Sequence, residues 1–184
     1  AHAERWADPK RRLDTARRLY AWRFGRVLPH RDIETLRGIE GARIKESYKL
    51  VAQRFGIEWH GRRYDRQNPN AADLPNQALN HAATFVEAAA DLAVAAVGAL
   101  PPLGFIHEDS SNAFTLDVAD LYRVDIVLPL AFGAVQAVTQ GKADNLEREV
   151  RRRAAHTFRQ EKLIPRMIER IKELFDVNDD SGDA

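Results

Sequence analysis

Glu34-Thr35-Leu36-Arg37-Gly38-Ile39-Glu40-Gly41-Ala42-Arg43-Ile44-Lys45 carries an acidic residue where a helical pattern asks for an apolar one. From Ile33 to Phe55, the residues Ile33, Leu36, Ile44, Tyr48, Val51 and Phe55 recur at steps of three and four and fall on one side of an α-helix. Glu40 stands four residues from both Leu36 and Ile44, inside that stripe. An unpaired carboxylate in an apolar interior costs several kcal/mol, so the pattern predicts a Glu40 that is neutralised, ion-paired or bound to a cation. Gly38 and Gly41 flank it. Each costs roughly 1 kcal/mol relative to Ala inside a helix, which predicts a close approach to the backbone here. From this helix alone, an arginine partner and a metal ion serve equally well.

Working outward, the same period recurs along the chain. Asp8-Pro9 reads as an N-cap followed by Pro at the first helical position, and Leu13, Ala16, Tyr20 and Phe24 form an apolar face that ends at Gly25. The helix of Glu40 ends near Gly56, and residues 57–75 read as a loop with a brief extended segment. Asn76 to Val97 is apolar on most sides, with a narrow polar stripe of Asn80, Thr84, Glu87 and Asp91, as expected of a central buried helix. A breaker from Gly98 to Gly104 is followed by Phe105-Ile106, which deliver His107, and Asp109-Ser110-Ser111-Asn112 reads as a turn. A helix from about Thr115 sets Asp117 and Asp120 one turn apart and is kinked or ended at Pro129. Further helices are expected up to Gly141, from Asn145 through Phe158, and from Pro165 to Phe175. Few β-branched runs occur, and the fold class is all-α, with one helical domain over residues 1–175 and a disordered acidic tail over residues 176–184.

Composition limits the chemistry. With 45% hydrophobic and 30% charged residues in 184, the chain reads as a soluble globular protein. It has no Cys, so any metal must be held by oxygen and imidazole ligands. No charged segment followed by an apolar run opens the chain, which fits a cytoplasmic protein. The apolar stretch from Leu92 to Ile106 is broken by Gly98, Pro101, Pro102 and Gly104 and is too short to span a bilayer, so no membrane role is expected. The formal charge of +1 understates a basic body, because Asp176, Asp179, Asp180 and Asp183 sit in a tail without Lys or Arg. Arg5, Lys10, Arg11, Arg12, Arg17, Arg18, Arg23 and Arg26 face only Glu4, Asp8 and Asp14 in the first thirty residues. A polyanionic partner fits this balance, as do solvated helix faces with local ion pairs.

Three segments supply candidate ligands: Glu40, His107, and the pair Asp117 and Asp120. Their spacing matches no compact metal motif. Singly, each has a plain reading: a paired buried acid, a hydrogen-bonded histidine, and acids favoured by a helix start.

Four motifs in order, Leu36-Arg37-Gly38-Ile39-Glu40-Gly41-Ala42-Arg43, Gly61-Arg62-Arg63-Tyr64-Asp65, Gly104-Phe105-Ile106-His107 and Asp117-Val118-Ala119-Asp120, resemble the CRISPR spacer-acquisition integrase, the Cas-one family, in its type I-E-like form. The likeness runs from about Arg11 to Phe175. It implies the family's multi-helix C-terminal catalytic domain, and nothing here resembles the β-rich N-terminal domain that builds the family's dimer. It also implies a Mg²⁺ or Mn²⁺ site with Glu40, His107 and Asp120 as ligands, and Asp117 supporting the site or acting at the reacting strand. The implied reaction is metal-dependent transesterification, in which the 3′-hydroxyl of a captured DNA fragment attacks a CRISPR repeat, with endonuclease hydrolysis as a side activity. Arg37, Arg62, Arg148 and Arg151 are the implied phosphate contacts, and Tyr64 stacks on or hydrogen-bonds a base. The implied partners are double-stranded DNA with single-stranded 3′ ends, repeat DNA and a dimer of the Cas-two family flanked by two homodimers in a prokaryotic cytoplasm. Because one protomer of each pair reaches the integration site, a non-catalytic DNA-binding structural subunit is the alternative reading.

Overall fold

The structure is a computed structural model that describes all residues except 30, 31, 64–71, 109 and 177–184. Among the described residues, eight α-helices and one π-helical turn make up the regular structure, and no strand forms. In chain order they are α1 (His2–Ala7), α2 (Pro9–Phe24), α3 (Ile33–Arg54), α4 (Leu74–Ala96), α5 (Ala113–Asp120), the π-helical turn Arg123–Val127, α6 (Leu128–Thr139), α7 (Leu146–Gln160) and α8 (Leu163–Leu174). The all-α class is as expected.

Local signals set most boundaries. The Asp8 side chain accepts the Arg11 backbone N–H, and that bond holds its carboxyl below the usual carboxylate range. Gly25 closes the same helix at φ 67°, a left-handed conformation that glycine adopts without strain. Asn145 caps α7 through the Arg148 N–H. Pro129 departs from expectation. It lies in the first turn of α6, where its missing N–H is no loss, so it begins a helix after the π-helical turn and does not kink α5. Helix α1 has no amphipathic signal long enough to read in sequence.

The chain divides into two compact units. The first comprises Ala1–Leu36, Ala89–Leu121 and the chain from Lys162 onward. Its interior is built from Leu19, Tyr20 and Phe24 of α2, Phe114 and Val118 of α5, and Met167, Ile171 and Leu174 of α8, all buried. His2 completes it, stacked on Phe105 and Phe175 at centroid distances of 5.4 and 4.7 Å and tilted against Phe114 at 4.5 Å. The second comprises Arg37–Ala88 and Tyr122–Glu161. There Tyr48 stacks on Trp59, whose ring meets Phe132 edge-on, and Leu128, Phe132 and Val150 are fully buried. At Gly133 an added Cβ would lie 2.7 Å from the Arg153 guanidinium, so the glycine makes room for that side chain.

The acidic end of the chain is partly tied. Asp176 accepts from Arg5 and Arg18 of the first unit, and the Arg18 bond leads in holding its carboxyl below the ordinary range. The rest of the expected tail, 177–184, lies outside the described residues.

Candidate functional site

The segment that delivers His107 is held from several sides. His2 accepts the Leu100 N–H at Nδ1 (3.1 Å) and donates from Nε2 to the Leu103 carbonyl (2.8 Å). Trp6 donates its indole N–H to the Gly104 carbonyl at 3.0 Å, and Phe114 donates its N–H to the Pro101 carbonyl at 2.8 Å. At Gly104 a Cβ would fall 2.1 Å from the His107 carbonyl oxygen and 2.7 Å from the Ala113 Cβ, so no larger residue fits unless backbone moves. Two short helices thus fix the path of the chain into His107. Neither His2 nor Trp6 is prominent in the sequence pattern.

Asp117 is the anchor of this loop. Its side chain has no exposed surface, and it accepts the N–H groups of Phe105 (2.6 Å), Ile106 (3.1 Å) and His107 (3.0 Å) as well as His107 Nδ1 (2.8 Å). Asp117 thus gathers three backbone N–H groups, and His107 Nδ1 stands at the same carboxylate, where a ring N–H donates. The other ring nitrogen, Nε2, lies 3.7 Å from Asp120 Oδ2. His107 and Asp120 are partly open, at 35% and 14% side-chain exposure. Asp117 therefore supports, while His107 and Asp120 present a nitrogen and an oxygen to the outside. This is the arrangement in which a histidine bound to a carboxylate through one nitrogen ligates through the other.

A cation stands beside the acids. Arg23, with 5% of its side chain exposed, places Nη1 3.6 Å from Asp120 Oδ2 and Nη2 3.9 Å from Asp117 Oδ1, and Nη2 also donates to the Asp117 backbone carbonyl at 3.3 Å. Sequence reading counts Arg23 only as one of eight basic residues. It stands four residues after Leu19 and three after Tyr20, which puts it on the buried face of α2.

Glu40 differs from expectation. It is half-buried, between the exposed Arg37 and Gly38 and the exposed Gly41 and Ala42, and is not enclosed in an apolar stripe. Nothing lies within 4 Å of a Cβ built on Gly38 or Gly41, so neither glycine serves packing among the described residues. Glu40 belongs to the second unit and His107, Asp117 and Asp120 to the first. Among the described residues no group of three His, Asp or Glu stands ready to hold a metal ion.

The proposed DNA contacts fall in the second unit. Arg37 is exposed. Arg62 donates to the Asn76 side chain at 3.0 Å and the Asn80 side chain at 2.6 Å, and Asn76, fully buried, also accepts the Arg63 N–H and donates to the Gly61 carbonyl. Tyr64 lies outside the described residues. On α7, Arg148 and Arg151 are 72% and 62% exposed, with ion pairs to Asp144 and Glu147. Arg152 follows Arg151 on the same helix, but its guanidinium turns back to Glu149 through two bonds, and Arg153 binds the same acid. Those bonds, the Arg152 one first, hold the nearly buried Glu149 carboxyl below its ordinary range.

The sequence profile described as CRISPR associated protein Cas1 matches residues 2–164. The chain belongs to the Cas1 family. It is 38% identical over 174 residues to CRISPR-associated endonuclease Cas1 2 of Thermus thermophilus, covering 94% of this chain and 52% of that protein. It is 36% identical over 170 residues to CRISPR-associated endonuclease Cas1 1 of Rhodospirillum rubrum (91% and 54%) and 33% identical over 168 residues to the Escherichia coli Cas1 endonuclease (91% and 54%). The chain thus spans about half the length of these relatives. A solved structure described as a TtCas1–DNA complex superposes with a TM-score of 0.86 at 36% identity, over 96% of this chain and 65% of that one. That of TtCas1 itself superposes with a TM-score of 0.83 over the same shares. Membership in the Cas1 family, with its helical domain, agrees with the resemblance read from the four motifs. No helix among the described residues is long and apolar enough to cross a membrane.

Proposed function

We propose that this chain is the catalytic domain of a divalent-metal-dependent DNA integrase of CRISPR adaptation. It joins the 3′-hydroxyl of a captured fragment to repeat DNA and cleaves DNA when water replaces that hydroxyl. The observation that carries this reading is the commitment of His107 Nδ1 to buried Asp117, which leaves Nε2 and the Asp120 carboxylate as a matched pair of donors. A nitrogen and an oxygen donor suit Mn²⁺ or Mg²⁺, the imidazole favouring Mn²⁺. Glu40 is the third proposed ligand, on the strength of its motif.

A bound divalent cation supplies Lewis acidity, lowering the pKa of the attacking hydroxyl and offsetting charge on the phosphoryl oxygens. In the joining step a new P–O bond forms to the incoming 3′-oxygen, the P–O bond to the repeat's 3′-oxygen breaks, and the proton lost by one hydroxyl is regained by the other. The protein contributes no covalent nucleophile. Asp117 keeps the imidazole oriented, and Arg37, Arg62, Tyr64, Arg148 and Arg151 hold DNA, chiefly through phosphates. Asn76 and Asn80 pre-set the Arg62 guanidinium, lowering the ordering cost of a phosphate contact. A Cas-two family dimer and two homodimers complete the proposed assembly.

The test is joining of a 3′-overhang duplex to repeat DNA in Mn²⁺, with DNA binding measured in parallel. Glu40→Ala and Asp120→Ala should each abolish joining and leave binding largely intact, because ligands act in the transition state while arginines supply ground-state affinity. Equal loss of both activities would make these residues structural. Binding without cation-dependent joining in the unaltered protein would favour the non-catalytic DNA-binding subunit.

A further inference from the structure

We infer that Arg23 is a positioning residue, whose two Nη nitrogens bridge Asp117 and Asp120 and hold the Asp120 carboxylate facing His107 Nε2. The two acids are held differently. Asp117 is immobilised by three backbone N–H groups and the His107 ring, whereas Asp120, at the last position of α5, is 14% exposed. A planar guanidinium with one nitrogen toward each acid, at ion-pair distances of 3.9 and 3.6 Å, sets the Asp120 carboxylate relative to the anchored one. Arg23 is itself well placed to stay put. It lies in the last turn of α2, where the helix dipole favours a cation, it is 95% covered, and its guanidinium carbon is 5.8 Å from the Tyr20 ring centroid.

An ammonium cannot take this place equally well. Lys offers one nitrogen on a flexible stem, so it reaches one acid or the other but does not fix the angle between them. The sign of the effect on a bound cation separates positioning from charge. A guanidinium 3.6 Å from Asp120 repels any cation held there, so its removal tightens cation binding if charge alone matters. Removal weakens binding only if the lost geometry outweighs that relief, as outer partners of metal ligands do when their loss costs roughly ten- to a hundred-fold.

Two measurements on the protein and its Arg23→Met and Arg23→Lys variants test this. Crystal structures of the cation-free forms should show Asp120 beside His107 Nε2 in the parent and turned away in both variants. An Asp120 that keeps its place in either variant overturns the inference, whether or not a metal is ever bound. The second arm rests on the metal reading proposed above. Mn²⁺ affinity, followed by the paramagnetic signal of the free ion, should fall about ten-fold or more in both variants. Unchanged or tighter binding, or full affinity in Arg23→Lys, overturns the inference. Asp120→Asn is the reference: if the parent binds Mn²⁺ no better than this variant does, the metal reading fails, and the crystallographic arm alone decides on Arg23. Should Arg23→Met not fold, Arg23→Lys carries both arms.

Discussion

His107 Nδ1 lies 2.8 Å from Oδ1 of Asp117, a carboxylate with no solvent-exposed surface that also receives the backbone N–H of His107 itself. One oxygen thus fixes both the backbone and the ring of the same residue. The other oxygen binds Phe105 and Ile106, so one side chain of α5 organises the whole approach to the histidine. The geometry of the proposed site and local stability therefore share a single anchor, and substitutions can separate them.

Asp117→Asn should lower both. The amide has one oxygen in place of two and would turn its own N–H groups toward backbone donors, leaving buried N–H groups unpaired at about 1–3 kcal/mol each. His107→Gln removes only the ring bond of a side chain that is 35% exposed, at a cost of about 1 kcal/mol. Urea unfolding combined with the joining assay checks this: both variants should be inactive, with Asp117→Asn markedly less stable. Equal stabilities would show that the anchor is not Asp117.

His2 predicts a pH dependence. Its Nδ1 accepts the Leu100 N–H, so the ring is neutral in the folded protein, and burial pushes its pKa below the ordinary histidine value of 6.5. Above that value the ring is neutral folded or unfolded, and the stabilisation is fully present. As pH falls below 6.5 the unfolded chain takes up the proton first, so stability drops until the folded-state pKa is passed. Denaturant midpoints from pH 8 to 5 should fall more steeply for the parent than for His2→Phe. Parallel slopes would refute the assignment.

Gly104→Ala should destabilise without touching any ligand. The new methyl meets the His107 carbonyl and the Ala113 backbone and Cβ, none of which can swing aside as a long side chain would. Overpacking of this kind costs about 1–3 kcal/mol. Thermal melting should show the loss, and a crystal structure should show His107 displaced; an unchanged melting temperature would mean that the loop yields freely.

Helices were largely legible from sequence because apolar period, caps and breakers are local: Asp8, Gly25 and Asn145 sit where their chemistry predicts. The role of α1 was not, since His2 and Trp6 act on Leu103 and Gly104, far along the chain. A charged residue on an apolar helix face drew attention to Glu40, which is half-buried, and the same test applied to Leu19, Tyr20 and Phe24 points to Arg23, which is nearly enclosed. Periodicity says which face a residue shares but not whether a neighbour covers that face at that turn. The pairing of His107 with Asp117 was legible only as two candidates, because they stand ten positions apart across a turn.

The arginines of α7 make the last prediction. Arg148 and Arg151 are largely exposed, and their pairs with Asp144 and Glu147 lie on the surface, where such pairs are worth roughly 0 to 1 kcal/mol. A phosphate can therefore displace either acid at little cost. Arg152 is different, because its guanidinium holds the nearly buried Glu149 by two bonds and must break them to reach DNA. If Arg148 and Arg151 neutralise phosphates of an incoming strand, replacing either by Ala should weaken binding of a 3′-overhang duplex regardless of sequence. It should also make the dependence of log affinity on log salt shallower by about 0.7 to 0.9, one phosphate contact's share of released counterions. Arg152→Ala should leave that slope nearly unchanged and instead lower stability, by freeing Glu149 from its main partner. Binding isotherms across a salt series, made with the complete complex, discriminate the two outcomes: an unchanged slope for both Arg148→Ala and Arg151→Ala would remove α7 from the DNA path.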